Sequence, residues 1–188
     1  YLGGIINHKS IKMKKIVFLA SIITVLISCQ APKQKETAQI DQKIVIGHEF
    51  NDKSEKLDII AGDVGLTSIW LDYMKAHNER DLDKIAEIDA TNIEVYRADG
   101  TVGKGRKTHR QVLSEWFQTS NPNWKVVWMV TNSVEKNDGS TEHWLTTGNE
   151  FTDTVQGEQI MINVVADVNF VDGKIKRINI HNRAQEKQ

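Results

Sequence analysis

Three polar side chains near the end of the chain, Arg177, Asn179 and His181, alternate along one predicted strand. Alternate residues of a strand project from the same face of a sheet. A histidine exchanges protons near neutral pH, and polar groups in an apolar concavity are typical of a small-molecule site. The sequence therefore predicts that Asn179 and His181 contact a ligand, provided that their face is the apolar one.

Aromatic residues are the second set of candidate ligand contacts. Tyr73 falls on the apolar stripe of a predicted helix, where its hydroxyl either enters a pocket or bonds to a buried partner. The chain has five tryptophans, and Trp116 and Trp128 lie on different predicted elements. We predict that Tyr73, Trp116 and Trp128 contact the ligand, with core packing as the alternative for each of them.

A β-hairpin between Gly157 and Arg183 must position Asn179 and His181. Apolar residues recur at every second position from Ile160 to Phe170, which is the period of a strand. The pair Asp172-Gly173 then predicts a tight turn, because asparagine, aspartate and glycine tolerate the positive φ angles of a type I′ turn.

This hairpin can take two registers. With a two-residue loop, Ala166 pairs with Asn179, and His181 lies on the same apolar face. A one-residue bulge exchanges the two faces, because a shift by one residue reverses every side chain that follows. Ile178 and Ile180 then become core residues, and His181 meets solvent.

The first register also predicts an association surface. It leaves four apolar side chains together on the outer face of the sheet, namely Met161, Val165, Ile178 and Ile180. Exposed apolar patches of this kind usually mark association. We therefore expect a homodimer that forms through the sheet.

The upstream sequence predicts helices first and strands afterwards. An apolar stripe at helical spacing runs from Leu66 to His77, and Asp81 can cap a short second helix. A short strand at 91–97 and a third helix around Leu113 follow, and the remaining strands lead into the closing hairpin. This order is an α+β plan.

Four segments, in this order along the chain, resemble the NTF2-like superfamily in its SnoaL-like branch. They are HNERDLD at 77–83, DATNIEVY at 89–96, GKGR at 103–106 and VDGKI at 171–175. The resemblance covers about 59–183. It implies an NTF2-like cone, in which a curved, mostly antiparallel sheet wraps around about three N-terminal helices and encloses a pocket, often as a dimer.

The same superfamily includes ketosteroid isomerase, whose chemistry can be compared position by position. By this resemblance its helix tyrosine corresponds to Tyr73, its general base falls near Val95 or Tyr96, and its oxyanion-hole aspartate falls near Ala166. Only the first of these positions carries a matching residue type. The leading prediction is therefore a domain that binds a small apolar ligand. The alternatives are an isomerase- or hydrolase-type enzyme that uses His181 or Tyr73, and a dimerising interaction module.

The start of the chain has the layout of an export signal. Two lysines precede an apolar run at 16–27, and Cys29, which is the single cysteine, follows directly after Ser28. The segment Leu26-Ile27-Ser28-Cys29 resembles a bacterial lipobox, which implies acylation of Cys29 and a lipid anchor in the cell envelope. A plain signal peptide is the alternative. We predict a signal at 1–29, with 1–12 upstream of the true start, a polar tether at 30–58 and the domain at 59–188.

Charge and composition exclude several classes of protein. The net charge of −1 and the pI near 6.7 argue against a nucleic-acid binder, which normally carries a basic patch. The histidines at 77, 109 and 181 have no spacing typical of metal ligands, and the glycines at 100–105 lack the Lys-Ser/Thr of a phosphate loop. We expect no metal, no cofactor and no nucleic-acid partner.

Overall fold

The structure is a computed structural model that describes residues 43–155 and 157–184. In this part of the chain the helices are α1 (Leu66–Glu79), α2 (Leu82–Ile88) and α3 (Arg106–Thr119). The strands are β1 (Val45–Phe50), β2 (Lys56–Ala61), β3 (Asp89–Tyr96), β4 (Val102–Lys104), β5 (Asn123–Glu135), β6 (Thr141–Val155), β7 (Glu158–Val171) and β8 (Lys174–Ala184).

The strands form one curved, unclosed sheet with the order β1-β2-β5-β6-β7-β8-β3-β4. Neighbouring strands are antiparallel except for β3 and β8, which run parallel. The core lies where the three helices pack against β3, β6, β7 and β8, and Ile93, Leu145 and Val168 are fully buried in it. The predicted α+β cone is confirmed.

Local chemistry sets where the helices begin and end. Asp81 caps α2 as predicted, since its Oδ1 accepts a hydrogen bond from the main-chain N–H of Lys84 at 2.9 Å. Gly105, with a φ of +84°, precedes α3, and such a backbone angle favours glycine. The apolar stripe of α1 buries Trp70, Tyr73 and His77 against the sheet.

The last hairpin has the predicted turn but not the predicted register. Asp172 and Gly173 both adopt positive φ, and Phe170 pairs with Ile175. Lys176 then has no partner, because Asn169 pairs with Arg177. This bulge lies two pairs beyond the turn and exchanges the faces of the rest of β8.

The prediction that placed Asn179 and His181 on the apolar face is therefore wrong. Ile178 and Ile180 lie opposite Val168 and Ala166 on the core side, whereas His181 pairs with Val165 on the outer side. Strict alternation from the fully buried Ile175 would have placed the charged Arg177 in the core. The bulge keeps that charge outside and buries two isoleucines instead, which removes apolar surface from water.

The predicted boundary between tether and domain is also wrong. β1 and β2 form a hairpin, and β2 pairs with β5, so residues 45–58 belong to the sheet and not to a tether. The predicted signal at 1–29, including Cys29, and the remaining tether at 30–42 lie outside the described residues.

Candidate functional site

A cavity of about 530 Å³ lies between the helices and the inner face of the sheet. Its wall contains mostly apolar and aromatic side chains: Trp70, Tyr73, Met74, His77, Val95, Arg97, Ala98, Asp99, His109, Val112, Leu113, Trp116, Trp124, Asn149, Phe151, Ile162, Val164, Ala166, Ile178, Ile180 and Asn182. A volume of this size is typical of a small-molecule site.

Stacked aromatic rings form one wall of this cavity. Trp116 on α3 stacks on Phe151 of β6, with ring centroids 5.9 Å apart and an interplanar angle of 28°. Trp124 on β5 lies against the same phenylalanine at 4.6 Å. Aromatic contacts of this geometry stabilise a fold beyond the area that they bury, so this wall is held in place without a ligand.

A buried chain of hydrogen bonds crosses another wall. The hydroxyl of Tyr73 on α1 donates to Oδ1 of Asp89 at 3.0 Å. Nδ1 of His109 on α3 lies 2.8 Å from Oδ2 of the same carboxylate, and donates to it. Asp89 and His109 are almost fully buried, and Tyr73 and His109 line the cavity.

The start of β3 brings this chain together. Asp89 is the first residue of β3 and follows α2 directly, so its side chain lies beside both longer helices. Its main-chain oxygen accepts a hydrogen bond from Nη2 of Arg106 in the first turn of α3. Three elements therefore fix one carboxylate, and both of its oxygens have partners.

A second imidazole lies beside the chain. The ring centroid of His77 is 4.4 Å from that of Tyr73 and 6.4 Å from that of His109. Burial lowers the pKa of His77 from 6.5 to about 3, and its Nδ1 hydrogen-bonds to the main-chain oxygen of Tyr73. Burial next to Asp89 also raises the pKa of Tyr73 well above 10. Both side chains are therefore uncharged at neutral pH.

Three buried N–H donors of cavity-lining residues have no hydrogen-bond partner among the described residues. They are Nε1 of Trp70, Nε1 of Trp124 and Nδ2 of Asn149. Leaving such a donor unpaired costs about 1 to 3 kcal/mol. An acceptor atom of a bound molecule could recover part of that free energy.

Charged side chains occur at one end of the cavity. Arg97 and Asp99 line it there, next to a second, more open hollow of about 520 Å³. Asn179 and His181 contribute to that hollow, together with Tyr96 and Asn182. This end is therefore the polar mouth of the site, and the apolar part lies deeper.

The structure brings together only some of the predicted ligand contacts. Tyr73 and Trp116 line the apolar cavity, whereas Asn179 and His181 lie outside it at the hollow. Trp128 lies on the outer face, where its ring covers Gly148 and its surface is 44% exposed. A bulge in β5 next to Trp128 sets the face on which this side chain lies.

Sequence reasoning missed Asp89 and His109. The aspartate was read as part of a family segment, and the histidine was considered only as a metal ligand. One local signal was available, because an aspartate at the junction of a helix and a buried strand requires polar partners. Asn149 was missed as well, although it alternates with the buried Leu145 and Phe151 along β6, whose pairing with β7 has no bulge.

Two other features are absent from the described residues. No group of three or more histidine, cysteine, aspartate or glutamate side chains could hold a metal ion there. No helix in that part of the chain is long and apolar enough to cross a membrane.

No protein-family model and no curated protein matches the sequence. Many solved structures share its fold. An LEH-like epoxide hydrolase from M. tuberculosis is 11% identical, with a TM-score of 0.53 over 63% of this chain and 82% of the hydrolase. An NTF-2 like protein of unknown function from Burkholderia xenovorans LB400 is 14% identical, with a TM-score of 0.48 over 65% and 86% of the two chains.

A third solved structure has a ketosteroid isomerase-like fold and was determined in complex with trimethylamine. It comes from Catenulispora acidiphila DSM 44928 and is 10% identical, with a TM-score of 0.49 over 60% of this chain and 83% of that one. At such identities, likeness indicates fold and not activity. The described domain therefore has the NTF2-like fold, which confirms at that level the resemblance carried by its sequence.

Proposed function

We propose that this domain binds a small, neutral, largely apolar molecule in the cavity between its helices and sheet. The observation that carries the proposal is the wall itself, in which tryptophan, phenylalanine and aliphatic side chains surround about 530 Å³. The fold and this cavity fit a ligand-binding domain. The Asp and Arg side chains that line the cavity, Asp99 and Arg97, lie at its mouth, and apolar side chains dominate the deep part, which favours a neutral ligand.

The unpaired donors narrow the chemistry of the ligand. Asn149 is 3% exposed, and its Nδ2 has no partner among the described residues. A ligand with a carbonyl, ether or similar acceptor can accept a hydrogen bond from such a donor, whereas a pure hydrocarbon cannot. We therefore expect neutral molecules with one or two acceptor atoms to bind better than alkanes of the same size.

A neutral fluorescent probe, N-phenyl-1-naphthylamine, tests the site with a matched pair of variants. Ala166 and Val165 are neighbours on β7 and face opposite sides of the sheet, with Ala166 in the cavity wall. Ala166→Phe fills the cavity, so the affinity for the probe, measured from the fluorescence increase on titration, should fall about tenfold or more. Val165→Phe adds the same ring type outside and should leave the affinity unchanged.

Equal loss of probe binding in both variants, or in neither, would contradict a site inside the cavity. Val164→Phe provides a second test in case Ala166→Phe does not fold. Val164 is also buried in the cavity wall on the same strand. A thermal melt of each variant separates loss of binding from loss of structure.

We also propose that the domain is exported and held at a bacterial membrane through acylated Cys29. The sequence supports this with a basic, then apolar segment that ends in the single cysteine of the chain. Fractionation of cells that express the full chain tests it. Cys29→Ala should move the protein out of the membrane pellet, and unchanged sedimentation would contradict the anchor.

A second candidate role is self-association through the outer face of the sheet. The exposed fractions of four apolar residues favour it: Trp128 is 44% exposed, Val130 52%, Met161 40% and Val165 37%. The predicted contribution of Ile178 and Ile180 to this face is wrong, because both line the cavity. Val165→Asp should convert a dimer to a monomer in sedimentation velocity, and a wild-type monomer would exclude the role.

A further inference from the structure

The apolar cavity adjoins the more open hollow of about 520 Å³ at its mouth. Four residues line both spaces, namely Arg97, Ala98, Ile180 and Asn182. A molecule longer than the cavity can therefore keep its apolar part inside and place its other end in the hollow. The chemistry of the hollow then decides which kind of end group fits.

The hollow lies at a break in the sheet. β3 pairs with β8 only as far as Tyr96 and Asn179, and the chain then turns back toward β4 through a tight turn at 97–101. β8 continues to Ala184, and over that length only β7 lies beside it. At 180–182 the main-chain N–H and C=O groups on the open edge of β8 therefore have no neighbouring strand among those that the structure describes.

Two side-chain amides lie next to this open edge. Asn179 and Asn182 line the hollow, and neither side chain has a hydrogen-bond partner within the described part of the chain. An asparagine side chain both donates and accepts hydrogen bonds, and so does an unpaired strand edge. The nearby charges are of both signs, since Arg97 lines the hollow and Asp99 lies at the adjoining mouth. The hollow therefore fits a neutral group that donates and accepts at once.

We propose that the ligand is an acyl amide, whose apolar chain fills the cavity and whose amide head group binds in the hollow against the open edge of β8. A secondary amide carries its N–H and C=O on one planar unit, as a strand does, so it can pair with a strand edge. An ester of the same chain accepts hydrogen bonds but cannot donate one. This inference rests on the proposed function, since the chain must occupy the cavity, and it adds the class of the head group.

Two competitors with one acyl chain separate the head group from the apolar part. N-octanoylglycinamide has an amide head group, and methyl octanoate has the same chain with an ester. Each is titrated against protein that has bound N-phenyl-1-naphthylamine, and the fall in fluorescence gives its affinity. Wild type should bind both, and only the affinity for N-octanoylglycinamide should depend on the side chains of the hollow.

Asn179 is the residue to change, because it lines the hollow and not the cavity. Asn179→Ala removes one hydrogen-bonding side chain and should lower the affinity for N-octanoylglycinamide about fivefold. Asn179→Trp fills part of the hollow and should lower it about tenfold or more, with a change below about twofold for methyl octanoate and for the probe. Asn163→Trp is the matched control, since Asn163 is an exposed asparagine on β7 that lines neither space. It should leave all three affinities unchanged.

The probe and the two competitors let the two proposals fail separately. If wild type does not bind the probe, the proposed function fails, and this inference fails with it. If wild type binds the probe but N-octanoylglycinamide does not displace it, only the amide head group is overturned. The same holds if Asn179→Trp, shown to be folded by a thermal melt, loses affinity equally for the amide and the ester, or for neither.

Discussion

Three aspartate–histidine pairs occur among the described residues, and two of them, one in the core and one on the outer face of the sheet, differ in nearly every physical property. In the core, Nδ1 of His109 lies 2.8 Å from Asp89, and the two side chains are 7% and 1% exposed. On the outer face of the sheet, Nε2 of His181 lies 3.8 Å from Asp167, and the side chains are 67% and 38% exposed. Residue types alone do not separate these pairs.

The position of a pair in the fold, and not its composition, sets its chemistry. The inner pair is oriented by a tyrosine and excluded from bulk water, which strengthens its electrostatic interactions. Solvent screens the outer pair, and such exposed pairs contribute between about 0 and 1 kcal/mol. The bulge at Lys176 places His181 on the outer face, because it sets the faces of β8.

Insertion of one alanine between Arg177 and Ile178 should have the largest effect, because it shifts the rest of β8 by one position. The shift turns Asn179 and His181 inward and exposes Ile178 and Ile180. We expect a loss of more than about 5 kcal/mol in urea unfolding, which is enough to unfold many domains. Lys176→Ala keeps the length of the strand and loses a hydrogen bond from Nζ to the main-chain oxygen of Asn92. It should cost less than about 1 kcal/mol. Equal stability of the insertion and the wild type would contradict the register.

Much of the fold could be predicted from sequence because its signals are local. The alternation along β7, the Asp172-Gly173 turn and the cap at Asp81 each depend on a few neighbouring residues. The bulge has a local signal as well, in the spacing of three isoleucines. Ile175, Ile178 and Ile180 are spaced by three residues and then by two, so no unbroken strand can bury all of them on one face.

The candidate site could not be predicted in this way, because its parts are distant along the chain. Asp89 lies 16 residues from Tyr73 and 20 from His109, and only the packing of α1, α3 and β3 brings them together. Asp89 lies between a helix and a strand. At such a junction neither the helical nor the strand period determines the direction of the side chain. His181, in contrast, was prominent because it lies on a strand with a clear period.

Asp89→Ala should have the second largest effect, since it removes the shared acceptor of two buried donors. The hydroxyl of Tyr73 and Nδ1 of His109 would both be left without their partner in the core. We expect a loss of about 3 kcal/mol or more in the free energy of unfolding. Asp167→Ala removes the aspartate of the outer pair and should cost less than about 1 kcal/mol. Similar losses from the two substitutions would show that the pairs do not differ as described.

His77 should give the domain a pH dependence that an outer histidine does not. Its pKa of about 3 in the folded state lies below the value of 6.5 expected when unfolded, so the unfolded chain binds the proton first. The contribution of neutral His77 to the free energy of unfolding is fully present above pH 6.5 and is lost as the pH falls toward 3. Between pH 7 and pH 5 the loss amounts to about 2 kcal/mol.

The variant His77→Phe should remove this part of the pH dependence. The ring lies among Tyr73 and Phe117, so an apolar replacement of similar shape fits the site. As the pH is lowered from 7 to 5, the urea midpoint of the wild type should therefore fall more than the urea midpoint of His77→Phe. A difference that stays constant from pH 7 to pH 5 would show that His77 is not buried in its neutral form.

His181→Gln should have the smallest effect, and it tests the outer pair directly. The imidazole is 67% exposed and 3.8 Å from Asp167, so its removal should change the free energy of unfolding by less than about 0.5 kcal/mol. Binding of N-phenyl-1-naphthylamine should also be unchanged, because the side chain faces the open hollow and not the apolar cavity. A marked loss of probe binding would mean that His181 reaches the cavity after all. The inner and the outer aspartate–histidine pair would then share one site, and the physical difference between them would not hold.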